Sequence, residues 1–285
     1  MDLRINSLGF RDGEPGPVLD GQKTVLFLGD SYTMGFALDV ESRFDRKLAQ
    51  LCGKDSRNFR FINAGVDGWG TAQAVRYAED HFDALRPDVV VLTFCENDPY
   101  DDATFLAREG PTPVETRPAR LFLQRHLHLY RFAYGLRWMW QHQDEVRQLG
   151  RYQKPAGETD PAAAITIPED LWRQTLQRLR DFHAALLRHN PNGVLLVQAS
   201  SPTSADVRRH LSMLDNGSSL VYVDLSGPVN ALPVAERRLT YDPHWSVKVQ
   251  EISARALYGN ISRVPQLKVG GPGGREAGGS RPGQQ

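Results

Sequence analysis

Ser31 is the residue whose type and position most directly suggest chemistry. It follows an apolar run that ends in Gly29-Asp30, and Gly35 shortly after it permits a tight turn into the next segment. A serine at a strand-to-helix turn lies near backbone N–H groups and can act as a nucleophile, although the same position also suits a helix N-cap. A nucleophilic serine further requires a base that removes its proton and a third group that orients the base.

His244 is the leading candidate for that base. It lies in the segment YDPHWS, which we predict to be a Pro-containing loop ahead of the last helix, and Asp242 stands two residues before it. Residues i and i+2 of an extended segment share a face, and Pro243 restricts one φ angle to about −65°, so Asp242 can accept a hydrogen bond from the imidazole Nδ1–H. The alternative interpretation is a helix-capping turn with a surface histidine.

Two further segments could supply the hydrogen-bond donors that stabilise an oxyanion. Gly65, Gly68 and Gly70 crowd one turn, where a backbone N–H can approach a ligand without a side chain in the way. Asn97 offers a side-chain amide after another predicted strand. A plain Gly-rich turn and an Asx-turn ahead of Pro99 are the corresponding structural alternatives.

The elements that must position these residues alternate along the chain. Short β-branched or aromatic runs predict strands, and longer segments with apolar residues three and four apart predict helices. The predicted strands are Thr24–Leu28, Phe59–Asn63, Asp88–Phe94, Gly193–Gln198 and Leu220–Asp224, and the predicted helices are Ser42–Leu51, Ala72–Leu85, Glu169–His189 and Ser246–Tyr258. This pattern predicts a doubly wound, flavodoxin-like α/β fold, with a five-stranded parallel sheet in a three-layer αβα arrangement. Such sheets bind ligands at the carboxyl ends of their strands, where the candidate residues lie.

An insert of about seventy residues, approximately 100–167, interrupts the alternation after the third strand. Its middle, Arg117–Gln143, is aromatic and rich in Arg and has a helical pattern, which favours burial against the main domain over a substrate lid or membrane-surface element. Gln148–Ala164 is predicted to be a loop. We expect one domain over residues 1–262, insert included, and a disordered Gly/Pro-rich tail over 263–285.

The composition excludes several classes of function. The chain has 285 residues with 34 basic and 34 acidic side chains, so no basic excess favours a nucleic-acid partner. No apolar stretch approaches the ~20 residues that span a bilayer, and no signal peptide is visible, so the sequence as it stands predicts a cytoplasmic protein. Export or membrane anchoring would follow if the true start lay upstream. Cys52 and Cys95 have no zinc-type spacing and are expected to be buried free thiols.

Four ordered segments give the chain a resemblance to the SGNH (GDSL-type) hydrolases. They are Gly29-Asp30-Ser31, the turn Asn63–Gly68, Glu96-Asn97-Asp98 and Asp242-Pro243-His244-Trp245. The N-terminal segment Ile5–Arg11 also resembles a segment that precedes the first strand in many members. The resemblance covers about Ile5 to Tyr258, without the insert.

This resemblance implies a role for each matching residue. Ser31 is the nucleophile, His244 the base and Asp242 its orienting carboxylate, while the Ser31 N–H, the Gly68 N–H and the Asn97 side chain form the oxyanion hole. Asp30 and Asp98 are implied to bond backbone N–H groups rather than to react.

The chain departs from the common family pattern at two places. Cys95 replaces a glycine before Glu96-Asn97, and a single residue separates Asp242 from His244 instead of two. This Asp-x-His-Trp spacing resembles a branch that includes proteins handling polysaccharide O-acetyl groups.

These residues predict a serine-dependent hydrolase that cleaves small-molecule or carbohydrate esters through an acyl-Ser31 intermediate. We expect no metal and no other cofactor. An O-acyltransferase acting on a carbohydrate hydroxyl would use the same residues, and a noncatalytic binding domain on the same scaffold is a further alternative. An α/β-hydrolase is disfavoured because the G-x-S-x-G elbow is absent, and a nucleotide-binding module because the phosphate-loop spacings are absent.

Overall fold

A computed structural model describes residues 4–17, 19–53, 58–107, 167–240 and 242–263. The predicted helical middle of the insert, the predicted loop after it and nearly all of the predicted tail lie outside these residues. Arg263, the first residue assigned to the tail, instead ends the last helix.

The central sheet has five parallel strands in the order β2-β1-β3-β4-β5, which confirms the predicted doubly wound topology. Its strands are β1 (Lys23–Gly29), β2 (Phe59–Gly65), β3 (Val89–Phe94), β4 (Val194–Ala199) and β5 (Leu220–Tyr222). Gly29, at the end of β1, pairs with Gly65 of β2 and Thr93 of β3. The carboxyl ends of the three strands that precede the candidate segments are therefore aligned at one edge.

Helices cover both faces of the sheet. The α-helices are α1 (Ser31–Met34), α2 (Phe44–Cys52), α3 (Thr71–Asp80), α4 (Phe82–Leu85), α5 (Asp98–Leu106), α6 (Glu169–His189), α7 (Ala205–Leu211), α8 (Ser226–Asn230), α9 (Val234–Arg237) and α10 (Val247–Arg263), and 3-10 turns span Val40–Ser42 and Ser212–Leu214. Alternate residues of β1 face opposite layers: Leu26 and Leu28 pack with α3, α6 and α7, and Val25 and Phe27 pack with α2 and α10. These two apolar cores give the three-layer arrangement.

The predicted helix Ala72–Leu85 is in fact two helices, which meet at His81. The His81 ring Nδ1 lies 2.8 Å from the Tyr77 carbonyl oxygen, the acceptor that a continuous helix would offer to the His81 N–H. That N–H bonds the Ala78 carbonyl instead. The helix α3 therefore ends where the His81 side chain competes with the backbone for the Tyr77 carbonyl.

The segment predicted to be a Pro-containing loop is a short strand. It forms β7 (Asp242–Trp245), which pairs antiparallel with β6 (Arg238–Leu239). A two-residue partner strand leaves no periodic pattern in the sequence, so this hairpin was not anticipated.

Two expectations from composition can be compared with the structure. Cys52 and Cys95 are both buried, as predicted. Over the residues that the structure describes, no helix combines the length and the apolar character needed to cross a bilayer.

Candidate active site

Ser31 is the first residue of α1, directly beyond the carboxyl end of β1. The helix is capped by Asp30, whose Oδ1 accepts the Tyr32 N–H at 2.9 Å, so the capping role considered for Ser31 belongs to its neighbour. Ser31 is only 8% exposed, less than expected for a residue at a turn, because the hairpin that carries His244 lies against it. The Ser31 side chain is thus free of a structural capping duty and faces a potential base.

His244 joins Ser31 to Asp242. Its Nε2 lies 2.7 Å from the Ser31 Oγ, and its Nδ1 is hydrogen-bonded to the Asp242 Oδ1. The same carboxylate oxygen accepts the His244 backbone N–H at 2.9 Å. With the Nδ1 proton held by the carboxylate, Nε2 presents its lone pair to the serine hydroxyl, which is the arrangement that general-base activation requires.

The β6–β7 hairpin explains how a single intervening residue suffices between Asp242 and His244. In an extended strand, residues two apart project to the same face, and the carboxylate therefore reaches the imidazole directly. The Pro243 carbonyl accepts hydrogen bonds from the Tyr32 hydroxyl at 3.2 Å and from Arg238 at 2.9 Å. Trp245, the buried last residue of β7, donates its indole N–H to the Ser200 carbonyl at 2.6 Å.

Gly68 and Asn97 lie beyond the two strands that flank β1. Gly68 has a φ of +75°, a conformation that favours glycine, in the turn after β2. Asn97 is exposed before α5, and its amide donates to the Asp101 carboxylate at 2.5 Å. The oxyanion hole of the Ser31 N–H, the Gly68 N–H and the Asn97 side chain stays a prediction.

Three carboxyl groups are buried beneath this edge of the sheet. Asp30 caps α1, while the Asp98 carboxylate accepts the Cys95 N–H at 3.1 Å and the Thr71 hydroxyl at 2.7 Å. Asp30 and Asp98 thus bond backbone N–H groups, as the resemblance implied. Burial raises the pKa of Asp30 to about 7 and raises the pKa values of Asp98 and Glu96 above their ordinary range. Among the described residues, no three His, Cys, Asp or Glu side chains could together hold a metal ion.

Aromatic side chains around His244 escaped the sequence analysis. The ring centroids of Tyr32 and Phe36 lie 4.7 and 5.0 Å from that of the imidazole. Both residues belong to the turn that begins at Ser31, so their proximity to that serine in sequence was the available signal. A cavity of about 780 Å³ lies elsewhere, between α3, α5 and α6, and no residue of the Ser31–His244–Asp242 group lines it.

Comparison with known proteins places these features in a family. The profile of the GDSL-like lipase/acylhydrolase family matches residues 27–248, which include all the candidate site residues. No curated protein sequence matches the chain significantly.

Solved structures with similar coordinates share little sequence with the chain. TesA is 11% identical with a TM-score of 0.49, covering 84% of this chain and 98% of its own. A Clostridium thermocellum family 3 carbohydrate esterase is 14% identical with a TM-score of 0.48, covering 84% and 94%. The psychrotrophic esterase EstA from Pseudoalteromonas sp. is 13% identical with a TM-score of 0.46, covering 85% and 97%. On the strength of the profile match, which spans most of its length, the chain belongs to the GDSL-like lipase/acylhydrolase family and is an ester-hydrolysing enzyme.

Proposed function

We propose that the enzyme cleaves carboxylic esters through an acyl-Ser31 intermediate. The observation that carries this proposal is the continuous hydrogen-bonded chain from the Ser31 hydroxyl through His244 to Asp242. In it the nucleophile, the base and the orienting carboxylate occupy the three positions that serine hydrolysis requires.

The reaction would proceed in two steps. His244 Nε2 takes the proton as Ser31 Oγ attacks the ester carbonyl, and the imidazolium then gives that proton to the leaving alcohol as the C–O bond breaks. Water attacks the acyl-enzyme with His244 again as the base, which releases the carboxylic acid and restores the Ser31 hydroxyl. Asp242 stabilises the imidazolium formed in each step.

The oxyanion of each tetrahedral intermediate would be held by the Ser31 N–H, the Gly68 N–H and the Asn97 side chain. For this role, the Asn97 amide would have to exchange its bond with Asp101 for one with the substrate. An amide on an exposed side chain can make that exchange at small cost, because water is available to the carboxylate it leaves.

The proposed substrates are small-molecule or carbohydrate esters. The Asp-x-His-Trp spacing, with its resemblance to proteins that handle polysaccharide O-acetyl groups, supports a carbohydrate ester. Acyl transfer to a sugar hydroxyl would use the same acyl-Ser31 intermediate, and the acceptor would depend on water access during the second step.

The test is to label the purified protein with a fluorophosphonate probe and to measure its hydrolysis of short-chain p-nitrophenyl esters. Ser31→Ala is expected to abolish the adduct at that residue and to lower kcat by about 10⁴-fold or more. Ser226→Ala is the matched control, because Ser226 is another buried serine that begins a helix, and its variant should resemble the wild type.

Other outcomes separate the alternatives. An adduct on Ser31 without ester turnover would favour acyl transfer, and it should then be possible to restore turnover with a carbohydrate acceptor. A folded protein with neither adduct nor turnover would contradict the proposed catalysis and favour a binding domain.

A further inference from the structure

Phe36 presents a large apolar side chain to solvent beside the proposed base. It is 38% exposed, and its ring is inclined by 34° to the imidazole of His244 at a centroid distance of 5.0 Å. Its backbone N–H bonds the Ser31 carbonyl at 2.9 Å, which ties the residue to the turn that carries the nucleophile. The ring therefore lies next to the imidazole that would carry the proton in the proposed reaction.

The loop around Phe36 is held in place from the protein interior. The buried Arg11 guanidinium donates to the carbonyls of Gly35 and Leu38, each at 2.5 Å, and to that of Met34 at 3.3 Å. Ala37, next to Phe36, has a φ of +58°, an uncommon conformation for a residue with a side chain. Because several interior hydrogen bonds maintain this strained loop, the exposure of Phe36 is a property of an ordered segment.

The chemistry of the proposed reaction indicates which part of a substrate would meet Phe36. The imidazole delivers its proton to the oxygen of the leaving alcohol, so the substituent on that oxygen lies next to the imidazole. The acyl substituent is bonded instead to the carbonyl carbon, which is held by Ser31 and the oxyanion donors. A ring packed beside the imidazole is therefore close to the alcohol half of the ester.

We propose that Phe36 is a specificity-determining residue that packs against the alcohol part of the ester substrate. The inference rests on the proposed function and adds to it the half of the substrate that this side chain recognises. The ligand class is an alcohol with an extended apolar or C–H-rich face, such as an aryl group or a sugar ring, which buries its surface against the aromatic face.

The first experiment compares Phe36→Ala with the wild type on two ester series. Within the acetate series, the variant should leave kcat/KM for methyl acetate nearly unchanged and lower it about 10-fold for benzyl acetate, since the lost contact is apolar burial. Within the p-nitrophenyl series, where the alcohol is constant, kcat/KM should fall by the same factor for the acetate, the butyrate and the octanoate. A loss that grows with acyl-chain length would overturn the proposal.

The second experiment separates recognition of the alcohol from positioning of His244. The acyl-enzyme no longer contains the alcohol, so its decay, followed by mass spectrometry after loading with p-nitrophenyl acetate, should proceed at the wild-type rate in Phe36→Ala. Equal losses in acylation and deacylation would mean that the ring acts through His244, and they would contradict the assignment.

Two further variants complete the design. Phe36→Leu retains an apolar side chain and should recover part of the preference for benzyl acetate. Tyr258→Ala removes an aromatic side chain of similar exposure, 40%, from α10 and should change neither series. Absence of ester turnover in the wild type, or its persistence in Ser31→Ala, would overturn the proposed function as well. If the wild type is active through Ser31 but Phe36→Ala loses kcat/KM according to the acyl group and not the alcohol, only the role of Phe36 is overturned.

Discussion

Two buried groups of charged residues adjoin the turn that begins at Ser31, and they differ in how their charges are partnered. In the first, which we call the arginine clamp, Arg43 is fully buried and binds Asp45 through two hydrogen bonds at 2.7 and 2.9 Å. Its guanidinium also lies 3.5 Å from Asp12 and donates to the Arg11 carbonyl at 2.5 Å. The clamp thus balances each buried carboxylate with a guanidinium and connects the N-terminal segment to the loop after Ser31.

The second group, the acid pocket, consists of Asp30, Glu96 and Asp98. These carboxyls accept hydrogen bonds from neutral donors, such as the Ser200 hydroxyl, which reaches Glu96 at 2.9 Å, and the Thr71 hydroxyl at Asp98. Burial raises the pKa of each carboxyl, and the positive charge of Arg238 only partly offsets this for Glu96.

The contrast teaches that burial alone does not decide the charge state of a carboxyl group. A carboxylate paired with a guanidinium keeps its charge, and the pair fails when one partner is removed. A carboxyl with neutral donors relieves the cost of burial by holding its proton. The clamp should therefore be sensitive to the loss of one charge, and the acid pocket should be sensitive to pH.

The largest effect is expected for Arg43→Met, which removes the fully buried cation from Asp45 and Asp12 and leaves them only the partly exposed Arg46. The free energy of unfolding should fall by about 3–5 kcal/mol in urea denaturation at pH 7. Arg76→Met, which breaks the exposed pair with Asp80, should leave the free energy of unfolding nearly unchanged. A loss below about 1 kcal/mol for Arg43→Met would show that the clamp is not a stabilising charge network.

Gly35→Ala tests how tightly the arginine clamp is packed. Gly35 has a φ of +70°, and an added Cβ would lie 2.5 Å from the Cγ of the buried Arg43. Left-handed strain together with overpacking should destabilise the protein by about 2–4 kcal/mol in thermal or urea unfolding. Gly217 has the same φ, and nothing lies near a Cβ added there. Gly217→Ala therefore measures the backbone strain alone, and we expect it to lower the free energy of unfolding by about 1–2 kcal/mol. Equal losses for both variants would mean that Arg43 moves aside freely.

Asp30→Asn tests the protonation of the acid pocket. The pKa of Asp30 is raised from 3.8 to about 7, so between these values the folded state holds a proton that the unfolded state releases. Its contribution to stability is therefore complete below pH 3.8, falls as the pH rises towards 7, and is lost above it.

Asparagine retains the oxygen that accepts the Tyr32 N–H and has no proton to lose. The stability of Asp30→Asn relative to the wild type should therefore improve by on the order of 2–3 kcal/mol as the pH rises from 4 to 8, measured by urea unfolding across that range. For Asp20→Asn, which alters an exposed side chain, the free energy of unfolding should change with pH in the same way as in the wild type. A parallel profile for Asp30→Asn would contradict the proposed protonation.

The smallest effect is expected for Glu96→Gln. The amide has the shape of the carboxyl group and keeps the oxygen that accepts the Ser200 hydroxyl, so unfolding at pH 7 should change by less than about 1 kcal/mol. A loss above about 3 kcal/mol would indicate instead that Glu96 is ionised and paired, with Arg238 as the available cation.

Most of the sheet and one long helix were predictable because their signals are local. The strands were expected within about two residues of their observed bounds, since β-branched apolar runs end at turn residues. The helix Glu169–His189 was predicted with its observed bounds, between Pro168 and the Asn190-Pro191 pair. The break of the second predicted helix at His81 was missed, because it coincides with one side chain competing for one carbonyl.

Within the candidate site, the sequence indicated candidate side chains but not their surroundings. Ser31, His244 and Asp242 were named from their positions after strands and their spacing, and the structure joins them by hydrogen bonds. The bond between Asn97 and Asp101 was not foreseen, because it depends on how α5 begins. The aromatic rings beside the imidazole were missed because apolar residues in a turn carry no periodic signal.

The chain's local chemistry thus determined where strands, helices and reactive side chains occur, since periodicity, turn residues and short spacings act over a few residues. Tertiary structure alone decided which of those side chains meet. Ser31 and His244 are 213 residues apart in sequence and come within 2.7 Å only because the β6–β7 hairpin packs against α1. The burial of Arg43, Asp30 and Glu96 was decided in the same way, because it depends on neighbours that are distant in the chain.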